Sequence, residues 1–281
     1  MNRLDARRRA QVLNCLIEGC SIRSTVRMTG VSKKTVTRLL VEAGTVAAEY
    51  QDRVMRNLSC RRVQVDEIWT FNYCKQGNLT PEIAAKVPGA GDLWLWVAID
   101  ADTKLVPCIR LGGRTASDAY EFMQDLASRL THRVQLTSDG FRPYLSAVDA
   151  AFGVDIDYAT LTKWYGSEMP QERRYSPPVV VSTVKKAITG DPDPAHVSTS
   201  YVERQNWTLR TTMRRYTRLS NGFSRKVENH MAAVALNYFV YNFCKIHSTL
   251  RTTPAMAAGV VDRLMDISDL VALLIESEKA A

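Results

Sequence analysis

Beyond residue 61 the apolar residues stop recurring at helical spacing and gather into strand-like runs, and the order of those runs restricts the fold more than any other feature. Residues 62–73 read as a first strand. Residues 93–100, apolar nearly throughout, read as a second, and 104–111 as a third, joined to it by the turn residues Asp100-Ala101-Asp102-Thr103. Gly112-Gly113 ends that hairpin. An amphipathic helix over 118–130 capped by Ser117, a fourth strand over 133–138, a helix from 140 to 152 and a last strand over 154–160 follow. Residues 77–91, with Pro81 and Pro88, are a loop or a short helix. Three antiparallel strands followed by alternating helices and strands give an α/β mixed five-stranded sheet with helices on its faces.

Three acids stand at informative places in this order. Asp66 lies inside the first strand, Asp139 closes the fourth, and Glu203 falls in the first turn of a basic helix after the fifth. The order is ribonuclease H-like. It puts Asp66 and Asp139 on neighbouring strands and lets a later helix bring Glu203 across from them. Each acid keeps another reading. Alternation puts Gln64 and Asp66 opposite Val63 and Val65, so Asp66 can be a solvent-facing strand residue, although Asp is depleted in strands. Asp139-Gly140 is a common turn pair. Ser200-x-x-Glu203 fits a capping box, in which Glu203 bonds back to the helix start. If the three converge, they suit Mg²⁺ or Mn²⁺, which takes hard oxygen ligands and keeps several waters. Two such ions roughly 3.5–4 Å apart clamp an in-line phosphoryl transfer. The four His are scattered, and no Ser/His/Asp arrangement or phosphate-binding Gly loop competes with the acids.

The first 58 residues keep the helical period. Leu4, Val12, Leu13, Leu16 and Ile17 share one face, with Arg7, Arg8 and Arg9 expected on the other, and Gly19 stops the helix. Ser21 caps a second helix over 22–28, Thr29-Gly30 turns the chain, and Ser32 caps a third over 33–43 closed by Gly44. Val26, Val31, Val36, Leu39 and Leu40 supply a shared core. Two short helices around a Gly-containing turn match a helix-turn-helix. Lys33, Lys34, Thr35, Thr37 and Arg38, at the start of the second, are the residue types that meet base edges and phosphates. The other reading is a small helical bundle with solvated charges. Residues 45–62 run as helix into a linker.

Charge follows the same division. The 281-residue chain carries a net +8, which favours an anionic partner. Residues 1–58 hold eleven Lys/Arg against five Asp/Glu, and residues 201–230 hold seven against two, so two separate polyanion sites are expected. On the helix from Val202, Glu203, Asn206 and Arg210 share one stripe that suits a DNA strand, and Arg204, Arg214, Arg215 and Arg218 add phosphate contacts or form a solvated face. The six cysteines form no C-x-x-C pair and are expected to be mostly buried, reduced residues. With no signal peptide and no apolar run of membrane-spanning length, the expected location is the cytoplasm. The organisation is a DNA-binding segment over 1–58, a catalytic segment over 59–245 and a helical tail over 246–281. A Pro-rich insertion over 166–196 forms a DNA clamp or a surface loop, with 177–183 strand-like. The acidic, Leu-rich helix over 262–279 either docks on its own chain or mediates self-association.

Several blocks carry a resemblance. Asp66-Glu67-x-Trp69-x-Phe71, Trp94-Leu95-Trp96-Val97-Ala98-x-Asp100, Ser138-Asp139-Gly140-x-x-x-Tyr144, and Tyr201-x-Glu203-Arg204-Gln205-Asn206 resemble, in order, the transposases of the insertion sequence 1 family. Leu219-Ser220-x-Gly222-Phe223-Ser224 extends the likeness, which covers about residues 60–240. That family belongs to the aspartate-aspartate-glutamate transposase and integrase group. The resemblance implies a ribonuclease H-like fold, metal-dependent cleavage at transposon ends and strand transfer into target DNA. It implies Asp66, Asp139 and Glu203 as the catalytic and metal-binding residues with Mg²⁺ or Mn²⁺. Terminal inverted repeats and target DNA would be the partners, bound by a homodimer or higher oligomer. Tyr241-Asn242, His247 and Thr253-Pro254-Ala255 resemble an integrase C-terminal signature and read as structural. The family's frequent N-terminal Cys-rich zinc finger is not in this sequence, so end recognition falls to the helix-turn-helix. A ribonuclease H-like nuclease and a catalytically silent, transposase-derived DNA-binding regulator are the competing functions.

Overall fold

The computed structural model describes residues 3–166, 180–217 and 221–280. Three helices open it: α1 (Ala6–Ile17), α2 (Ile22–Thr29) and α3 (Lys33–Val54). The Ser21 and Ser32 side chains accept from Ser24 N and Thr35 N as N-caps, and Gly30 makes the left-handed turn at φ +68°. Two expectations fail here. Arg9 is buried instead of facing outward, because its guanidinium bonds the Leu4 carbonyl and pairs with Glu278. Gly44 does not close α3, which runs on unbroken to Val54. It is the point where α3 meets a later helix: a Cβ there would lie 2.4–2.5 Å from Ala232.

The sheet has the strand order β3-β2-β1-β4-β5-β6. Its members are β1 (Arg62–Asn72), β2 (Gly91–Asp100), β3 (Cys108–Gly112), β4 (Gln135–Ser138), β5 (Asp157–Tyr165) and β6 (Val180–Thr189). β2 runs antiparallel to both β1 and β3, β4 runs parallel to β1 and β5 to β4, and β6 returns antiparallel to β5. The first five strands follow the expected order. The sixth corrects the five-strand expectation. It comes from the presumed insertion, whose residues 167–179 lie outside the described ones. Its residues 180–183 fall within the run read as strand-like, and its Val181 and Val184 are exposed. β3 starts at Cys108, later than expected. The Asp100 carboxylate accepts from Thr103 N at 3.1 Å, and Lys104 takes a left-handed φ of +61° that prolongs the turn. Between β1 and β2 lies the short helix α4 (Pro81–Lys86).

Helices cover both faces. α5 (Ala116–Arg129), capped by Thr115 instead of Ser117, and α6 (Pro143–Phe152) close one face, where Trp96 of β2 meets Phe122 at 5.8 Å and Tyr144 at 5.5 Å. α7 (Ser200–Thr212) and α8 (Val227–Phe239) lie on the other, and α8 crosses α3 at Gly44 and Ala232. After α8 a π-helical stretch carries Asn242. Its side-chain amide exchanges two 3.0 Å hydrogen bonds with the Val106 backbone, as a neighbouring strand would. The short α9 (Pro254–Ala257) and then α10 (Ile267–Ala280) complete the chain. α10 docks on α1 and α3 of its own chain, burying Ile267, Leu270, Val271 and Leu274. One apolar cluster runs from Val12 and Leu13 through α8 into the sheet. Of the six cysteines only Cys60 and Cys108 are buried, fewer than expected. Among the described residues no helix is long and apolar enough to cross a membrane.

Candidate functional site

The pleat of β1 decides which of its side chains meet α7. Gln64 and Asp66 point one way, Val65 and Glu67 the other. Gln64 Oε1 accepts from the backbone N–H groups of Tyr201 at 2.8 Å and Val202 at 3.2 Å, so the strand itself caps the helix. Asn206 Nδ2 donates to Asp66 Oδ2 at 2.9 Å. Two residues of strand span about 6.6 Å and one helical turn about 5.4 Å, so the paired contacts fix α7 in register along β1.

Asp139 follows β4. The last β1–β4 pair is Gln64↔Thr137, two residues before each acid, and the charge of Asp139 acts on Asp66. Asp139 Oδ1 accepts from Phe141 N at 2.9 Å, which fixes the turn. Burial pushes the Asp66 carboxyl up to about 7, with the charges of Glu67 and Asp139 adding to it. The Glu67 N–H and Asn206 oppose that shift. Among the described residues neither Asp66 nor Asp139 has a cationic partner.

The third acid is placed differently. Glu203 is exposed, is ion-paired to Lys163 of β5, and accepts from the Thr199 hydroxyl at 2.6 Å. It does not bond back to the backbone of the helix start, so the capping-box reading does not hold. Among the described residues no three His, Cys, Asp or Glu side chains gather closely enough to hold a metal ion. The structure thus sets Asp66 beside Asp139 and leaves Glu203 turned to Lys163. The donor set fits a hard divalent cation at two carboxylates: Asp66, whose carboxyl is raised chiefly by burial, and Asp139 beside it have no cationic partner among the described residues, and a cation that tolerates two carboxylates plus solvent or phosphate oxygens would relieve them.

Glu67, next to Asp66, has a different task. Its side chain is 1% exposed, pairs with Arg114 at 2.6 Å and accepts from the Tyr144 hydroxyl at 2.9 Å. Burial raises its carboxyl above the usual range, Asp139 adds to this, and Arg114 opposes it. The Arg114 guanidinium also covers the Phe141 ring at 4.1 Å. The trio therefore clamps the turn that carries Asp139 from behind the sheet. Nothing in the sequence marked Arg114 or Lys163, since both act through partners about forty or more residues away. Gln64 was legible in the alternation of β1.

The basic residues divide in the same way. Lys33 and Lys34 are exposed at the start of α3. Thr35 shares a 2.9 Å hydrogen bond with Ser32, Thr37 donates to the Lys33 carbonyl at 3.0 Å, and Arg38 sits 3.6 Å from Glu42. Arg210 is half-buried, Arg214 is exposed just past α7, and Arg218 lies outside the described residues. The two basic segments meet: Arg23 and Lys33 from the first line the same cavity of about 280 Å³ as Arg214 and Arg215 from the second, and among the described residues no Asp or Glu stands in its wall.

No family model matches the chain, and none of the curated proteins does. Among solved structures, the chain is similar to a piggyBac transposase synaptic complex with hairpin DNA at TM-score 0.46 and 10% identity, over 97% of this chain and 70% of that one. It also aligns with the Mos1 strand transfer complex at TM-score 0.25 and 13% identity, over 85% of this chain and 79% of that one. Both scores fall below 0.5, so the functional reading rests on the residues and geometry above.

Proposed function

We propose that this chain is a transposase: a ribonuclease H-like enzyme that cleaves DNA at transposon ends and transfers the strand. The observation that carries the reading is the placement of Asp66 in β1 and of Asp139 directly after β4, the parallel neighbour of β1, with Asn206 of α7 fixed against Asp66. Asp66 and Asp139 would hold Mg²⁺ or Mn²⁺, with Glu203 joining them once it leaves Lys163. The ions supply activation of the attacking hydroxyl or water and charge stabilisation at the leaving oxygen. Asn206 orients the Asp66 carboxylate, Gln64 holds α7 in register, and the Glu67–Arg114–Tyr144 trio steadies the Asp139 turn. Residues 1–58 act as the helix-turn-helix that recognises DNA, with Lys33 and Lys34 presented outward. The cavity shared by Lys33 and Arg214 continues that basic surface toward the catalytic segment over 59–245, and 246–281 ties the tail to it.

The test is a nicking and strand-transfer assay on DNA carrying the sequences that flank the gene, with Mg²⁺ or Mn²⁺ and with EDTA. Wild type should act only with metal. Asp66→Asn and Asp139→Asn should lose activity by about two to three orders of magnitude, the scale of a lost transition-state charge contact. Unchanged activity in both variants would refute the assignment. The Lys163–Glu203 pair favours a second reading, a catalytically silent DNA-binding regulator. DNA binding by the wild type without cleavage in either metal would decide for it.

A further inference from the structure

The exposed flank of α7 carries a second constellation, unconnected with the carboxylates. Tyr201, Arg204, Trp207 and Thr208 line a groove of about 590 Å³ between α7 and the segment from Lys245 to Thr249. Trp207 is 51% exposed and Tyr201 42%, unusual for side chains that ordinarily bury most of their area. Each ring lies against a cation: the Arg204 guanidinium is 4.3 Å from the Trp207 centroid and Lys104 Nζ is 3.3 Å from that of Tyr201. Lys245 and the polar His247 complete the wall, and among the described residues no Asp or Glu takes part in it.

The groove is also anchored. Lys104 has a left-handed backbone at φ +61°, a conformation that side-chain-bearing residues rarely adopt. The Tyr241 hydroxyl holds its carbonyl at 2.9 Å. Exposed ring faces interleaved with cations suit a ligand that is flat, π-faced and anionic along its length. Unpaired nucleotides meet all three conditions; duplex DNA presents phosphates but hides its base faces. An acidic protein surface meets only the charge condition and leaves the rings without matched partners.

From this geometry we infer that the groove binds a short run of unpaired nucleotides, with bases stacked on Trp207 and Tyr201 and phosphates held by Lys104, Arg204 and Lys245. The site does not use Asp66 or Asp139, so it stands or falls separately from the cleavage chemistry. Binding in EDTA reads the groove, and metal-dependent nicking reads the carboxylates.

The experiment measures fluorescence anisotropy of the full chain with labelled (dT)12 and with a 12-base-pair duplex, in EDTA. Trp207→Ala and Tyr201→Ala should each weaken (dT)12 binding by roughly five- to a hundredfold, the range of one lost base stack, and change duplex binding by less than about twofold. Trp207→Phe should retain most of the affinity. Lys86→Ala, on exposed α4, should change neither. Circular dichroism confirms folding, and Arg204→Ala provides a second variant at an exposed position. Unchanged (dT)12 affinity in both Trp207→Ala and Arg204→Ala would overturn the inference. So would an equal loss on single strand and duplex, which would reduce the groove to a charge patch. A changed mass in size-exclusion chromatography with intact oligonucleotide affinity would assign the surface to a protein partner instead.

Discussion

Asp66 and Glu67 are consecutive acids with opposite environments, and the pleat of one strand separates them. Glu67 faces the α5–α6 layer, where burial would be costly without Arg114 and the Tyr144 hydroxyl. Asp66 faces α7 with an amide and a backbone N–H but no cation. Its carboxyl is raised from 3.8 to about 7, so the folded state holds the proton more tightly than the unfolded chain. Stability from this group is therefore present below about pH 4, falls as pH rises toward 7, and levels off above it. Asp66→Asn removes the titration. Its urea midpoint in EDTA should lie close to wild type at pH 4.5 and above it at pH 8, with the gap widening between. A constant gap across that range would show that Asp66 ionises normally. That a carboxyl stands here and at Asp139 was legible, because strand order and alternation fix both. Glu203's engagement with Lys163 was not: the pair joins α7 to β5 across forty residues, and no local pattern encodes it.

Gly44 shows how one residue type misleads when its neighbourhood is unknown. A glycine after a helical run reads as a stop, yet its place in α3 is set by Ala232 of α8, against which a Cβ would fall at 2.4–2.5 Å. Helix propensity and packing then make opposite claims about Gly44→Ala. Alanine favours the helix by about 1 kcal/mol. Overpacking a close helix crossing costs about 1–3 kcal/mol, and the atoms met here include the Ala232 backbone, which cannot swing aside. Packing should win, and the variant's urea midpoint should fall below wild type. A rise would mean that α3 and α8 are farther apart than described. Strand β6 teaches the converse. Its partner β5 was expected, but β6 itself alternates Val, Ser, Thr and Lys without an apolar face, since it lies at an edge with most side chains in solvent. The strand-like run over 177–183 marked its start, but its pairing with β5, and so its place in the sheet, is not registered by a pattern of hydrophobicity. The caps Ser21 and Ser32 were readable because they act within three residues.

How the ends of the chain come together was the least legible part, because it depends on contacts across nearly its full length. Arg9, in a basic run that looked solvated, is buried under Glu278. Arg23 and Lys33 share a cavity with Arg214 and Arg215, so the two basic segments meet. α10 is the element on which this closure depends. Ile267, Leu270, Val271 and Leu274, at helical spacing, are buried on α1 and α3, and at about 1.5–3 kcal/mol for each side chain their burial contributes up to roughly 6–12 kcal/mol. That is comparable with the 5–15 kcal/mol stability typical of a domain. Ending the chain at residue 266 should therefore do more than shorten it. The faces of Val12 and Leu13 would open to water, Arg9 would lose its carboxylate, and the urea transition should shift to much lower denaturant or lose cooperativity, with soluble aggregate in light scattering. A self-association helix predicts the opposite outcome, a well-folded protein of smaller assembly mass and unchanged midpoint. Because α10 turns its apolar stripe inward, aggregation is the expected result. Glu278→Gln in the full-length chain separates the two contributions: it removes the charge partner of Arg9 and leaves the apolar contact, so it should lower the midpoint far less than truncation does.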